Sequence, residues 1–393
     1  MIDINYEHCT GCGACVQICP KNCIEWEEKE FGFNYPKIDT EKCIDCGICE
    51  KVCPIAKEKI KPSEQCVYAV VNREQDTLME STSGGAFSAL AKYVLGKNGV
   101  IYGCEMDENY VVKHIRVTKF SKMPKLRGSK YVQSNTGITF KEVEQDLKQG
   151  KLVLYSGTPC QISGLKYFLR KKYENLITVD IVCHGVGSQA YFSKFMDNLC
   201  QRKGKVLWLN FRDKKFAGWS CGGGGGGSIT HKNVYREWKF LEYQNYYYHY
   251  FLTGDIYRKS CYSCAYSNID RQGDFTIGDF WGVETLGLKL NTTLGCSVVI
   301  ANNNKAAKLI NSLNNVDKVE VKMEQADKHN AQLIHPAILT ETLRNKLAHQ
   351  YEVMSANEIQ KVYLKENKWC VLKGKLKNTI PYKIKLLLRK LKK

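Results

Sequence analysis

No stretch of about 18 consecutive apolar residues occurs in the 393 residues, so the sequence offers no membrane-spanning helix. Also missing at the N-terminus is the succession of basic flank, apolar run and small-residue cleavage site that marks a secretory leader. The first cysteine, Cys9, arrives too early to leave room for one. Without an export signal, the nineteen cysteines are expected to be reduced thiols or thiolates in the cytoplasm, not a disulfide scaffold. Acidic residues are nearly absent from the C-terminal stretch: residues 361 to 393 hold twelve Lys and Arg against Glu366 alone, +11 of the formal net charge of +18. Residues 1 to 65 show the reverse, eight Lys against twelve Asp and Glu. The excess charge is therefore local, and the two ends are expected to meet different partners. The basic tail also has few interleaved aromatics, only Tyr363, Trp369 and Tyr382, which argues against nucleic acid as its target.

What the N-terminus does contain is a cysteine ladder: Cys9, Cys12, Cys15 and Cys19-Pro20, then Cys43, Cys46, Cys49 and Cys53-Pro54. Both runs have the spacing C-x2-C-x2-C-x3-C-P, with which bacterial two-cluster ferredoxins bind two [4Fe-4S] cubanes. In that arrangement the fourth cysteine of each run crosses to the other cluster. The predicted ligand sets are Cys9, Cys12, Cys15 with Cys53, and Cys43, Cys46, Cys49 with Cys19. Gly11, Gly13 and Gly47 suit the tight turns between ligands. Zinc ribbons share C-x2-C, but not the third cysteine at the same step or the fourth before proline.

The chain is expected to be α+β: a small two-cluster module over residues 1–62, a larger mixed α/β domain over 65–300, a C-terminal α/β-helical extension over 301–375 and a basic amphipathic tail over 376–393. Residues 59 to 63, charged and containing proline, read as the linker. Beyond it, residues 66–71 form an apolar, β-rich run, and 86–95 carry apolar positions at helical spacing. Residues 100–104 and 111–117 read as paired strands, and 138–149 as an amphipathic helix. A strand over 151–155, a helix over 162–172 and a strand over 176–182 make a βαβ-like unit that places Cys160 and Cys183 side by side. The dense aromatics of residues 240 to 251 read as core. Six consecutive glycines, Gly222 to Gly227, predict a mobile loop or an altered stretch of sequence, and not an ordered strand. In the tail, Pro381 suits a helix start and Ile384, Leu387, Leu388 and Leu391 form one stripe, suited either to anionic lipid or to a solvated terminal helix.

Candidate chemistry outside the ladder lies in the middle. Ser81, Thr82, Ser83, Gly84 and Gly85 precede a helix, where free N-H groups meet either a phosphate or only an N-cap. Arg127, Gly128, Ser129 and Lys130 form either a second anion grip or a solvated basic loop. Cys160, Cys183, Cys261 and Cys264 sit in short turns and are either a third tetrathiolate cluster site or buried inert thiols. His184, beside Cys183, is a candidate proton donor or a structural turn residue.

Five motifs in order carry a resemblance: Ser83-Gly84-Gly85, residues 126–133 (Leu-Arg-Gly-Ser-Lys-Tyr-Val-Gln), Ser156-Gly157-Thr158-Pro159-Cys160-Gln161, Cys183-His184-Gly185-Val186, and residues 277–282 (Ile-Gly-Asp-Phe-Trp-Gly). With these the sequence resembles the coenzyme F420 hydrogenase/dehydrogenase beta-subunit family, in the form with an N-terminal two-cluster ferredoxin domain. Gly187 stands where relatives usually have proline, and the glycine run replaces what looks like a strand in them. The resemblance implies a third [4Fe-4S] cluster on Cys160, Cys183, Cys261 and Cys264, and FAD held by Ser81 to Gly85, Arg127 to Lys130, Thr158, Pro159 and Gln161. It implies an oxidoreductase passing electrons between clusters and FAD to an organic two-electron substrate, an F420-like cofactor or a surface-polysaccharide intermediate. A ferredoxin-like electron partner is expected, and the basic tail would suit the inner membrane face. The alternative is an electron-carrier subunit without its own substrate.

Overall fold

The computed structural model describes residues 6–57, 59, 61–229 and 234–379. In the N-terminal module, β1 (Ile24–Glu28) and β2 (Asn34–Ile38) pair antiparallel, with Ile24 opposite Ile38. Two short helices, Ala14–Ile18 and Ile48–Lys51, each start after a left-handed glycine, Gly13 at φ 83° and Gly47 at φ 67°. A residue with a Cβ would be strained there, so the glycines set the turn that brings each third cysteine onto its helix.

The larger body is built on eight strands: β3 (Cys66–Asn72), β4 (Val100–Met106), β5 (Val112–Val117), β6 (Val153–Gly157), β7 (Leu176–Ile181), and, after a separate three-stranded sheet, β11 (Phe275–Asp279), β12 (Ser297–Ala301) and β13 (Val316–Val321). Their order is β13-β3-β12-β11-β7-β6-β4-β5. The central four, β11, β7, β6 and β4, are parallel, and the flanking pairs are antiparallel. Near-continuous Val, Ile and Tyr runs suit strands covered on both faces. Ile101, Leu154, Ile177 and Val299 pack against the helices Ala86–Gly96 and Asn304–Ser312. Tyr102, Tyr155 and Leu176 pack on the other face against Thr139–Lys148 and Pro159–Leu169. The edge strand β13 carries the sheet past residue 300. Because β3 is antiparallel to β12 and β12 to β11, the C-terminal ends of β3, β4, β6, β7 and β11 open on one edge, where ligands of α/β sheets gather.

The second sheet contradicts the expectation of a mobile glycine loop. β9 (Gly222–Ile229) is its central strand, antiparallel to both β8 (Lys205–Asn210) and β10 (Val234–Leu241). Propensity is overridden by packing: aromatic side chains occupy the space that side chains on β9 would fill. A Cβ would stand 2.3 Å from the Phe216 ring at Gly224 and 2.4 Å from the Trp208 indole at Gly226. Beneath lies the aromatic core, in which Phe211, Phe240 and Tyr246, Tyr247, Tyr248 of the helix Tyr246–Thr253 are all buried. The chain continues in the helices Glu341–Val353, Ala356–Glu366 and Lys368–Thr379. The stripe Ile384, Leu387, Leu388, Leu391 lies outside the described residues. No helix among the described residues is long and apolar enough to cross a membrane.

Candidate functional site

The structure brings the ladder thiols into two groups. Cys19, Cys43, Cys46 and Cys49 line one cavity, together with Cys23. Cys53 lies instead within electrostatic reach of Cys9 and Cys15, and Cys12 of Cys15 and Cys9. The fourth cysteine of each run thus sits with the opposite run. Burial pushes the Cys15 thiol up to about 12 and Cys12 well above its ordinary value, with the neighbouring thiols adding to the shift. Cys19 is shifted the other way: burial opposes its ionisation, but the Cys23 thiol and the N-H groups of Cys23, Lys21 and Asn22 overcome that and hold it below the ordinary thiol value. Burial makes thiolate costly at Cys12 and Cys15, a cost that a metal's positive charge would offset, so their donor chemistry fits iron. Among the described residues no three His, Cys, Asp or Glu converge on a single ion. A tetrahedral zinc needs its sulfurs about 2.3 Å from one centre; a cubane takes each thiolate on a different iron and needs no such convergence.

A third group forms at the C-terminal edge of the large sheet. Cys160 opens the helix after β6, Cys183 follows β7, and Cys261 and Cys264 come from a turn 78 and 81 residues further on. The adjacency of β6 and β7 sets Cys183 near Cys160, as the βαβ pattern predicts, and Cys261 and Cys264 act on both. Burial raises all three shifted thiols, Cys160 to about 11 and Cys261 to about 12.

The ladder is bolted beside this third group. Arg258 is 2% exposed, and its guanidinium donates to the Cys9 carbonyl at 3.2 Å, to Gln133 Oε1 at 2.9 Å and to the Asn34 carbonyl. It lies over the rings of Tyr35 and Phe33, 4.2 and 5.1 Å from their centroids. Ser260 Oγ also donates to the Cys9 carbonyl, and Gln17 Nε2 to Thr136 Oγ1. Cys12 lies against Gly164, where a Cβ would stand 2.9 Å from its sulfur, and within reach of Cys160. Cys15 in turn lies near Cys49. The three groups therefore form a line: the Cys19/Cys43/Cys46/Cys49 cavity, then the Cys9/Cys12/Cys15/Cys53 group, then the sheet edge.

The two predicted anion loops meet further along that edge: Ser129 N donates to Thr82 Oγ1 at 3.0 Å, and Arg127 Nε to Ser88 Oγ at 3.1 Å. Several of their groups are already engaged. Ser81 Oγ donates to the Thr77 carbonyl and Ser83 Oγ to that of Cys296, while Gly84 is required because a Cβ would stand 2.1 Å from the Val70 carbonyl. Gln161 serves the fold: its oxygen accepts from Thr158 N, its amide donates to Ser134, and Pro159 beside it is buried in the first helical turn. The cations of the second loop have partners too. Arg127 pairs with the exposed Glu80, and the Lys130 amine donates to the carbonyls of Lys125 and Arg127 at 3.1 and 2.6 Å. Gly128, at φ 81°, has open space beside it.

Lys130 also acts on His114, which sequence reasoning missed. Burial holds this imidazole down to about 4, so it is neutral, and its contact with the Ser156 carbonyl at 2.8 Å requires the proton on Nε2. Its Nδ1 lone pair is left buried without a hydrogen-bond partner among the described residues. An orphaned acceptor, a neighbouring amine and an open glycine corner fit a polar, anionic cofactor such as FAD. His184 is exposed on the same edge, near Asp279 and Arg212. Those two form a buried ion pair; Trp219 Nε1 donates to Asp279 at 2.7 Å, and the Trp219 and Trp281 rings stack at 5.1 Å.

Lys214, 8% exposed, supports the Ser81–Gly85 loop from below, donating to the Leu78 and Ser83 carbonyls at 2.6 and 2.7 Å. Burial first, and the Arg212 charge second, lower its amine from 10.5 to about 7. Between those values the unfolded chain binds more protons, so the cost of this lysine is fully present below about pH 7 and is relieved as pH rises towards 10.5. In urea unfolding, wild type is expected to gain more stability than Lys214→Met between about pH 7 and about pH 9.5. Identical pH profiles would mean that the amine is not buried as described.

Residues 150–327 match the family described as the C terminus of the coenzyme F420 hydrogenase/dehydrogenase beta subunit, and residues 8–56 match the 4Fe-4S dicluster domain. The chain thus joins a segment that matches the 4Fe-4S dicluster domain to one that matches the C terminus of the F420 hydrogenase/dehydrogenase beta-subunit family. All eight ladder cysteines fall inside the dicluster domain, and Cys160, Cys183, Cys261 and Cys264 inside the beta-subunit region. Thr158, Pro159, Gln161 and His184 lie in that region too, whereas Ser81 to Gly85 and Arg127 to Lys130 lie outside both matches. Among solved structures the chain is similar to one described as the xenon-derivatised F420-reducing [NiFe] hydrogenase complex from Methanosarcina barkeri. That likeness is 15% identity over 79% of this chain and 94% of that chain, with a TM-score of 0.44. No curated protein matches. The two matches together make this an iron-sulfur redox protein related to the F420 hydrogenase beta subunit.

Proposed function

We propose that the chain is an FAD-dependent [4Fe-4S] oxidoreductase acting on an organic two-electron substrate, an F420-like cofactor or a polysaccharide-biosynthesis intermediate. The observation that carries this reading is the line of three cysteine foursomes ending at the sheet edge, with Cys15 beside Cys49 and Cys12 beside Cys160. When bound, clusters relay single electrons and a flavin exchanges them for the pair that hydride-type transfer needs. Cys43, Cys46, Cys49 and Cys19 hold the outer cluster, Cys9, Cys12, Cys15 and Cys53 the middle one, and Cys160, Cys183, Cys261 and Cys264 the third. Arg127 and Lys130 would neutralise the cofactor's phosphates, Thr82, Ser129 and Thr158 would border it, and His114 would offer it an unused acceptor at Nδ1. His184, exposed beyond Cys183, stands where it can hand a proton to the substrate.

Electrons reach the outer foursome from a ferredoxin-like partner, since Cys46 is the exposed member of the ladder. The protein works in the cytoplasm, with the basic tail touching anionic membrane. The name of the matched family, a beta subunit, favours a second reading: a carrier that docks on a larger redox complex and has no substrate of its own. Anaerobic purification with iron, sulfide and flavin counts separates the two. The enzyme reading expects about twelve irons and one FAD per chain, and about eight irons in Cys183→Ala. About eight irons in wild type, without flavin, would leave only the carrier.

A further inference from the structure

Five thiols, not four, line the outer cavity: Cys19, Cys43, Cys46, Cys49 and Cys23. Four complete a cubane, so one is surplus. Cys23 lies outside the repeating ligand spacing, four residues past Cys19 and just before β1. Its sulfur is 3.3 Å from that of Cys19, and its thiol also hydrogen-bonds Cys43. It is 3% exposed. Burial alone is what an inert cysteine shows, since the free thiol packs as a small hydrophobe. An inert cysteine has no reason, however, to touch two ligand sulfurs inside the cavity that the other two ligands line.

We infer that Cys23 is a reserve ligand for the outer cluster, able to take the iron of Cys19 when Cys19 is lost or detached. This rests on the outer-cluster assignment above. In the exchange the Cys19 sulfur–iron bond breaks and that sulfur takes up a proton, while Cys23 gives up its thiol proton and forms the new sulfur–iron bond. Protons balance between the two thiols, and no electron changes hands. The move is short because the two sulfurs already touch, and Cys23 starts on the inner wall of the cavity, so no strand has to be remade. With Cys19 on iron, the Cys23 thiol donates to its sulfur, a contact of the kind that tunes cluster potential.

The test uses the full chain, purified anaerobically, with iron counts and low-temperature EPR of the reduced protein. Wild type and Cys23→Ser are expected to hold the same iron, with the potential of one cluster displaced in Cys23→Ser. Cys19→Ser and Cys19→Ala are expected to keep that iron count with one altered EPR signal. Cys19→Ala/Cys23→Ser is expected to lose about four irons. Loss of about four irons in Cys19→Ala alone, or full iron in the double variant, overturns the inference. Should the Cys19 variants fail to fold, Cys23→Ser still decides: a potential and EPR spectrum unchanged from wild type would place Cys23 away from the cluster and overturn it. Failure of the underlying assignment shows separately, as fewer than about eight irons in unsubstituted protein.

Discussion

Arg258→Met is expected to lose about four irons per chain and to destabilise the protein by at least about 3 kcal/mol. The buried guanidinium makes its hydrogen bonds to neutral carbonyl oxygens, those of Cys9, Asn34 and the Gln133 side chain. Each such charge-assisted bond contributes about 1.5–3 kcal/mol, and methionine replaces none of them while filling a similar length. The positive charge also has a use of its own: burial raises the Cys9 thiol, and Arg258 is the first influence pulling it back. Removing the cation makes thiolate at Cys9 costlier and frees the loop carrying Cys9 and Gly11 from its anchor. The middle foursome is therefore the one expected to empty. Arg258→Lys keeps the charge but not the fork, and an intermediate loss is expected. Iron counts with thermal unfolding measure both effects; full iron and an unshifted melting temperature in Arg258→Met would refute the docking role.

Within the glycine strand, the cost of adding a single methyl group is expected to depend on what that methyl meets. At Gly223 a Cβ would lie 1.9 Å from the Asn210 carbonyl oxygen, and at Gly227 2.1 Å from that of Lys205. Both obstacles are backbone of the paired strand β8, which can withdraw only by giving up its pairing. Gly223→Ala and Gly227→Ala are expected to cost about 3 kcal/mol or more each. At Gly225 the obstacle is the Trp238 indole nitrogen at 2.9 Å, on the sheet's edge strand β10, where the ring can turn aside. Gly225→Ala is expected to cost about 1 kcal/mol or less. Denaturant midpoints rank the three. If all fell within about 0.5 kcal/mol of wild type, the segment would be a loop after all.

The sequence was most legible where chemistry depends on near neighbours. The ladder is read from spacing because the turns that aim its thiols lie between consecutive cysteines, and Cys160 with Cys183 is read from one βαβ unit. The glycine run was misread because glycine alone has no reason to form a strand; the rings that make it one, Trp208, Phe216 and Trp238, come from flanking segments. Lys214 and Arg258 were missed for a related reason. In a chain with 58 Lys and Arg, nothing local tells the buried cation from the solvated one. The hydroxyls of Ser81 and Ser83 donate to the carbonyls of Thr77 and Cys296, and the second of these engagements is with a segment over 200 residues away that no local pattern reveals.

The third foursome differs from the ladder in how far apart its members stand along the chain. The eight ladder thiols fall within residues 9 to 53, whereas Cys160, Cys183, Cys261 and Cys264 spread over residues 160 to 264 and meet only once β6, β7 and the turn at Lys259–Cys261 are in place. During synthesis the ladder is complete as a peptide long before the sheet edge exists. A chain halted between residues 53 and 258 therefore carries every ladder cysteine but lacks Arg258, the cation that anchors Cys9, as well as Cys261 and Cys264.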